Sequence, residues 1–417
     1  LPAYPALFPL LAKGKEVASF GDLPGGPGRL VEVQAEGLTL LLLDAPQLFD
    51  RPGAPYTGAD GKDWPDNHRR FGALAQAAAR VSFDGLDGWV PDVLHAHDWQ
   101  AGLAPVYLKQ DGRTPPKSVI TIHNIAFQGR FGPQVMGDLK LRSDWFHPGG
   151  LEYYGDVSFL KAGLVYADHI TTVSPTYARE ILTPQFGMGL DGVLAGRASN
   201  LTGILNGIDL EAWNPKSDPA LTATYGLKRL GAKAKNRATL AERLGLDPDH
   251  DALPALVAGG GQLALLGSGE PELEQAFRDA AARFPGKIGV EIGYDEALSH
   301  LMQGASDAIL IPSRFEPCGL TQLYGLRYGT LPVVARTGGL ADTVIDANHA
   351  ALAAGVATGF VFDDVSIAGI EGAIARAIAA HADRDLWKQM QAAAMRQPVG
   401  WESSARDYVR MYETLCA

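Results

Sequence analysis

Short apolar runs recur along the chain at 92–96, 118–122, 169–173, 203–205, 262–266, 288–292, 308–311, 332–335 and 359–362. Their apolar content is nearly continuous rather than alternating, as in parallel strands covered on both faces. Turns rich in Gly, Asn, Asp or Pro follow them, and stretches with helical spacing intervene, as at 67–81, 160–166, 270–284, 320–328 and 367–381. Alternating β and α elements predict an α/β fold with parallel sheets. The runs fall into two sets, separated by a Lys/Arg-rich stretch at 214–247 that holds no β-like run. The expected organisation is two doubly wound domains facing each other across a cleft, the first at 1–225 and the second at 226–400. An amphipathic helix at 401–417 is expected to cross back to the first. Ligands in such folds bind at the carboxyl ends of the strands.

Composition narrows the class. The chain has 417 residues, 46% of them hydrophobic, which excludes a disordered polypeptide. The 49 glycines follow no collagen period and point to tight turns and close backbone approaches. A formal charge of −11 disfavours a nucleic-acid partner, which would need clustered cations. No apolar run approaches the roughly 18 residues of a membrane span. Two cysteines, Cys318 and Cys416, argue against a disulfide framework, so a cytoplasmic protein is expected. Leu1 rather than Met opens the chain, and further residues are expected before it.

The candidate chemistry sits at strand ends. His95-Ala96-His97-Asp98-Trp99 closes one β-run, and His95 and His97 share a face of it. The readings are hydrogen-bonded histidines, sugar-hydroxyl binding by Asp98 and the imidazoles, or a metal site of His95, His97 and His123 in a hydrolase. Thr121-Ile122-His123-Asn124 closes the next run, so two strands deliver polar groups to one sheet edge. Asn206-Gly207 is a turn signal that also offers a ligand contact. Gly267-Ser268-Gly269 is half of a dinucleotide fingerprint, structural or nucleotide-facing. Tyr294 follows another run, either as packing or to stack on a base. The densest segment is Pro312-Ser313-Arg314-Phe315-Glu316-Pro317-Cys318-Gly319-Leu320-Thr321. It places a carboxylate beside a helix start, a good diphosphate seat. Cys318 reads as a packing residue or, at a helix start, a reactive thiol. Arg336-Thr337-Gly338-Gly339-Leu340 repeats the strand, glycine turn and helix next door, a second anion-friendly turn.

These motifs, in this order, resemble those of bacterial glycogen synthases and the related plant starch synthases. The resemblance implies a GT-B fold, two Rossmann-like domains with a deep cleft between them, and retaining transfer of glucose from ADP-glucose to the non-reducing end of an α-1,4-glucan. No cofactor and no metal ion is implied, which displaces the metal reading; a related transferase using UDP-glucose or another acceptor is the alternative. It implies that Glu316 is the donor-site carboxylate and that His123 and Asp98, with His97 beside them, shape the glucose pocket. Tyr294 would lie by the adenine, Gly319, Leu320 and Thr321 at the diphosphate and glucose, and Asn206 along the cleft. Gly267, Arg314, Cys318, Gly338 and Gly339 complete the donor-binding set. The position eight after Glu316 is Tyr324, where many retaining GT-B enzymes have a second Glu. Two family motifs have no counterpart. One is a Lys-x-Gly-Gly-Leu near the N-terminus. The other is the strand and basic glycine loop that should open the second domain, near 247–254. Both segments are expected to carry phosphate-binding Lys and Arg.

Overall fold

In the run Ser118-Val119-Ile120-Thr121-Ile122 every side chain is buried, and the first parallel sheet forms around it. The computed structural model describes residues 1–247 and 261–417. The chain divides into two units: Leu1–Val173, Ala178–Gly203 and Tyr408–Ala417 form one, Ser174–Tyr177 and Ile204–Asp407 the other.

In the first unit, β1 (Lys15–Leu23), β2 (Gly26–Ala35) and β3 (Leu38–Asp44) form an antiparallel meander. β4 (Val93–His97), β5 (Lys117–Ile122), β9 (His169–Thr172) and β10 (Leu201–Gly203) form a parallel sheet in the order β10-β9-β5-β4. Three short strands, β6 (Arg130–Phe131), β7 (Glu152–Tyr153) and β8 (Asp156–Ser158), make a small antiparallel sheet. The helix Asn67–Asp84 buries Ala73, Ala77 and Val81 against Phe20, Leu30 and Leu43 of the meander. Its Arg70 is buried yet satisfied, donating to Leu48 O, Pro55 O and Asn67 Oδ1. That is how a guanidinium is tolerated in a core.

In the second unit, β11 (Leu263–Gly267) pairs in parallel with β12 (Ile288–Ile292). β13 (Ala308–Ile311), β14 (Leu331–Ala335) and β15 (Phe360–Phe362) form a separate parallel sheet in that order. Its core joins Leu331, Val333 and Phe360 to Ala373 and Ala377 of the helix Ile367–Ala382 and to Trp387. Lys233 is buried with its ammonium surrounded by Tyr225 Oη, Gln303 O, Tyr328 O and Thr330 Oγ1 at 2.8–3.3 Å.

The division falls after Gly203 rather than near residue 225. Ile208 packs with Leu331 and Phe360, while Leu221 and Tyr225 pack with Tyr328, so 204–225 completes the second core. Nothing periodic in that stretch signals it. The expected break at the opening of the second domain falls largely on 248–260, outside the described residues. Tyr408–Ala417, which holds the end of the last helix, Glu402–Cys416, groups with the first unit. Among the described residues, no helix is long and apolar enough to cross a membrane.

Candidate active site

Parallel pairing of β4 with β5 sets His97 opposite Thr121 and brings the polar residues after both strands to one edge. His97 Nδ1 lies 2.9 Å from His123 Nε2, so one ring donates to the other. Asp98, held at φ 53° where the strand turns into a helix, accepts the His123 backbone N–H at 2.8 Å through Oδ1. Burial pushes the Asp98 carboxyl up, while the backbone N–H groups of His123 and Asn124 pull the other way. Asp98 and His97 therefore fix where His123 stands. His95 stacks on His97 at 4.4 Å between centroids. Its two nitrogens are spent on Tyr412 Oη and Thr121 Oγ1, both at 2.6 Å. Burial, and then the neighbouring His97 and His123, push His95 down to about 3, so it is a neutral structural imidazole. Among the described residues no group of three or more His, Cys, Asp or Glu side chains converges as a metal site.

In the second unit β13 delivers the loop that carries Glu316. The carboxylate Oε2 accepts a hydrogen bond from Ser313 Oγ at 3.0 Å. Two glycines of the neighbouring turn pack directly on this loop. A Cβ on Gly338, at φ +43°, would lie 1.9 Å from Glu316 O, and one on Gly339 would lie 1.8 Å from Cys318 O. The Gly339 N–H donates inward to Glu316 O and Pro317 O at 3.2 and 3.1 Å. The turn that reads as a second anion seat thus has this N–H turned to the loop, and it clamps the backbone of Glu316. Only glycine allows that approach.

The helix Thr321–Tyr328 starts with Leu320 at its N-cap and no side-chain cap, leaving first-turn N–H groups for a ligand. Gln322 reaches back from this helix to Gly319 O at 2.7 Å and Thr343 Oγ1 at 3.1 Å, fixing the turn at Gly319. Cys318 is buried and hydrogen-bonded with Asn206, and burial pushes its thiol up. It is a packing residue that ties Asn206 to the loop, not a reactive thiolate. Arg314 is exposed, beside the segment 365–370. Gly267 and Tyr294 sit at the adjacent ends of β11 and β12, with Tyr294 86% exposed.

Residues that sequence reasoning missed support the same helix. Trp213 is sandwiched between His300 and Tyr324, with centroids 3.7 and 3.6 Å away. His300 Nδ1 and Tyr328 Oη both contact the buried Asp218 carboxylate. No motif announces this cluster, because Trp213 and Asp218 lie about a hundred residues before His300, Tyr324 and Tyr328. Trp213 occupies the face of Tyr324, the position eight beyond Glu316, so that side chain packs rather than reacts.

A family model described as the starch synthase catalytic domain matches residues 1–196, and one described as glycosyl transferases group 1 matches residues 232–394. A glycogen synthase of Roseobacter denitrificans is 57% identical over the whole chain and 91% of its own length. Another from Rhizobium leguminosarum bv. trifolii is 52% identical over the whole chain and 91% of its length. Among solved structures, the catalytic domain of starch synthase IV from Arabidopsis thaliana, bound to ADP and acarbose, superposes with a TM-score of 0.84. It is 30% identical and covers 96% of this chain and 87% of its own. Whole-chain identity at this level, two matched family models and the shared GT-B architecture give one conclusion: the chain belongs to the bacterial glycogen synthase family of glycosyltransferases.

Proposed function

We propose that this glycosyltransferase elongates glycogen by moving glucose from ADP-glucose to the non-reducing end of an α-1,4-glucan, with retained configuration and without a metal ion. The observation that carries the reading is identity of 57% with a glycogen synthase over the whole chain. The ADP and acarbose held by the starch synthase relative support an adenine nucleotide donor and a carbohydrate acceptor.

In this reading the donor diphosphate lies against the uncapped helix start at Gly319, Leu320 and Thr321, where backbone N–H groups and the helix dipole favour anions. Tyr294 takes the adenine, and Gly267 and Arg314 the donor's flank. Asp98, His97 and Asn206 place the donor glucose with His123. As the bond from glucose C1 to the diphosphate oxygen breaks, positive charge grows on C1. Glu316, already held by Ser313 and by the Gly338-Gly339 clamp, stabilises it without reorganising. The acceptor 4-hydroxyl attacks from the face the diphosphate leaves and gives its proton to the departing diphosphate oxygen, so the new C1–O bond replaces the old one with retained configuration.

The test is ADP or UDP release on glycogen with each nucleotide sugar, with and without chelator. ADP-glucose should be preferred by roughly tenfold or more in kcat/KM, the factor that one net hydrogen bond of about 1.4 kcal/mol supplies, and chelator should change nothing. Preference for UDP-glucose, or loss of turnover in chelator, contradicts the reading.

A further inference from the structure

The last helix grips His95 from the far end of the chain. Tyr412 Oη lies 2.6 Å from His95 Nδ1, 317 residues away in sequence. The rings of Tyr408 and Tyr412, one turn apart on that helix, both lie 5.8 Å from the imidazole. On the other side, His95 Nε2 lies 2.6 Å from Thr121 Oγ1, which lies 2.6 Å from Thr171 Oγ1 on the next strand. Thr121 and Thr171 are fully buried, out of reach of any ligand. All these residues belong to the first unit.

The protons on this chain have an order. A neutral imidazole has one N–H and one bare nitrogen, so one of its two partners accepts and the other donates. Burial, with His97 and His123 nearby, keeps His95 in that neutral form. A phenol is more acidic than an alcohol and is the better donor to a bare nitrogen. Tyr412 O–H therefore donates to Nδ1, Nε2–H donates to Thr121 Oγ1, and Thr121 O–H is left for Thr171 Oγ1. Held at both nitrogens, the His95 ring cannot turn without breaking a bond. His97 stacks on that fixed ring at 4.4 Å, with the planes 23° apart, and its Nδ1 meets His123 Nε2 at 2.9 Å.

We propose that Tyr412 is a positioning residue for the donor-glucose pocket: its hydroxyl donates to His95 and so, through His97, fixes the ring of His123. Thr121 anchors the other end of the same chain of hydrogen bonds. This rests on the reading that His123 stands at the donor glucose. The role is geometric, and it makes the last turns of the chain part of the apparatus that holds the site.

Tyr412→Phe removes the hydroxyl and keeps the ring. The His95 Nδ1 loses its donor, the ring is free to turn, and kcat for ADP release on glycogen should fall about tenfold. ADP affinity by calorimetry should stay within about twofold, because the diphosphate seat is untouched. Thr121→Val should lower kcat by a similar factor, and Thr121→Ser, which keeps the hydroxyl, should return to within about twofold of the parent. Val409→Ala, at an exposed position of the same helix, should leave kcat unchanged. A merely structural contact would lower the melting temperature of Tyr412→Phe and Thr121→Val without this hydroxyl-dependent loss of kcat. Nitrogen NMR of the labelled imidazoles reads the proton order without turnover: His95 should carry its proton on Nε2 in the parent and populate both tautomers in Tyr412→Phe. A parent His95 protonated on Nδ1 would overturn the proposal, and so would a folded Tyr412→Phe protein with the parent's kcat. Should a variant not fold, the parent's proton order still decides. Failure of the donor reading shows separately, as turnover that does not depend on ADP-glucose.

Discussion

Gly339→Ala adds one methyl group where the Glu316 loop leaves no room. The new Cβ would lie 1.8 Å from Cys318 O, 2.5 Å from its carbonyl carbon and 2.7 Å from its Cα, whereas ordinary contact begins at 3.4 Å. All three neighbours are backbone, so no side chain can rotate away, and the loop must retreat by roughly 1.5 Å. That movement also breaks the shared hydrogen bond from Gly339 N–H to Glu316 O and Pro317 O. Overpacking costs about 1–3 kcal/mol and the lost bond about 1 kcal/mol, which sums to about 3 kcal/mol. For a unit of this size the melting temperature should fall by about 6–12 °C. Displacing Glu316 by more than about 1 Å should lower kcat about a hundredfold, since reacting groups tolerate little misplacement. Calorimetry and an ADP-release assay read the two effects. Gly372→Ala is the control: it lies in the helix Ile367–Ala382 with nothing within 4 Å of its Cβ, and it should stabilise by about 0.5 kcal/mol or more. A Gly339→Ala protein with the parent's kcat and melting temperature would refute the clamp.

Two further outcomes follow from buried polar groups. Lys233→Ala strips four oxygen acceptors of their shared donor and opens a cavity, so urea unfolding should show a loss of about 3–5 kcal/mol; a loss under about 1 kcal/mol would contradict its structural role. His95 is held at about 3, below its ordinary 6.5, so between those values the unfolded chain binds the proton and the folded chain does not. Stability should therefore decline as pH falls below about 6.5, and His95→Gln should flatten that dependence between pH 7 and 5; a parent midpoint that is unchanged or higher at pH 5 would contradict it.

The parallel strands were legible because burial on both faces forces continuous apolar runs, as in Val119-Ile120-Thr121-Ile122 and Leu331-Pro332-Val333-Val334-Ala335. Strands β1 and β2 of the meander were not, because they are half-exposed and mix Lys15, Glu16, Arg29 and Glu32 with Leu30 and Val33, with no continuous apolar run. The strand-end residues His97, Asp98 and His123 were legible as a cluster because adjacent parallel strands must bring their ends together. Their division of labour was not, since it depends on which atom meets which: Asp98 holds the backbone of His123, and His95 is spent on Tyr412. The Gly338-Gly339 turn was legible as a close approach, but its packing on the Glu316 loop was not. Glycine marks close approach in either case, and sequence cannot say whether the approaching group is a phosphate or the carbonyl of Glu316.

Glu316→Gln tests the central claim most directly. It keeps the shape of the side chain and its place beside Ser313 while removing the charge. In an ADP-release assay with ADP-glucose and glycogen, kcat should fall by about a thousandfold, the scale of losing one preorganised electrostatic contact to the transition state. ADP binding by calorimetry should stay within about threefold of the parent's, because Glu316 acts on C1 and not on the diphosphate. A folded Glu316→Gln protein that binds ADP and turns over near the parent's rate would contradict the account.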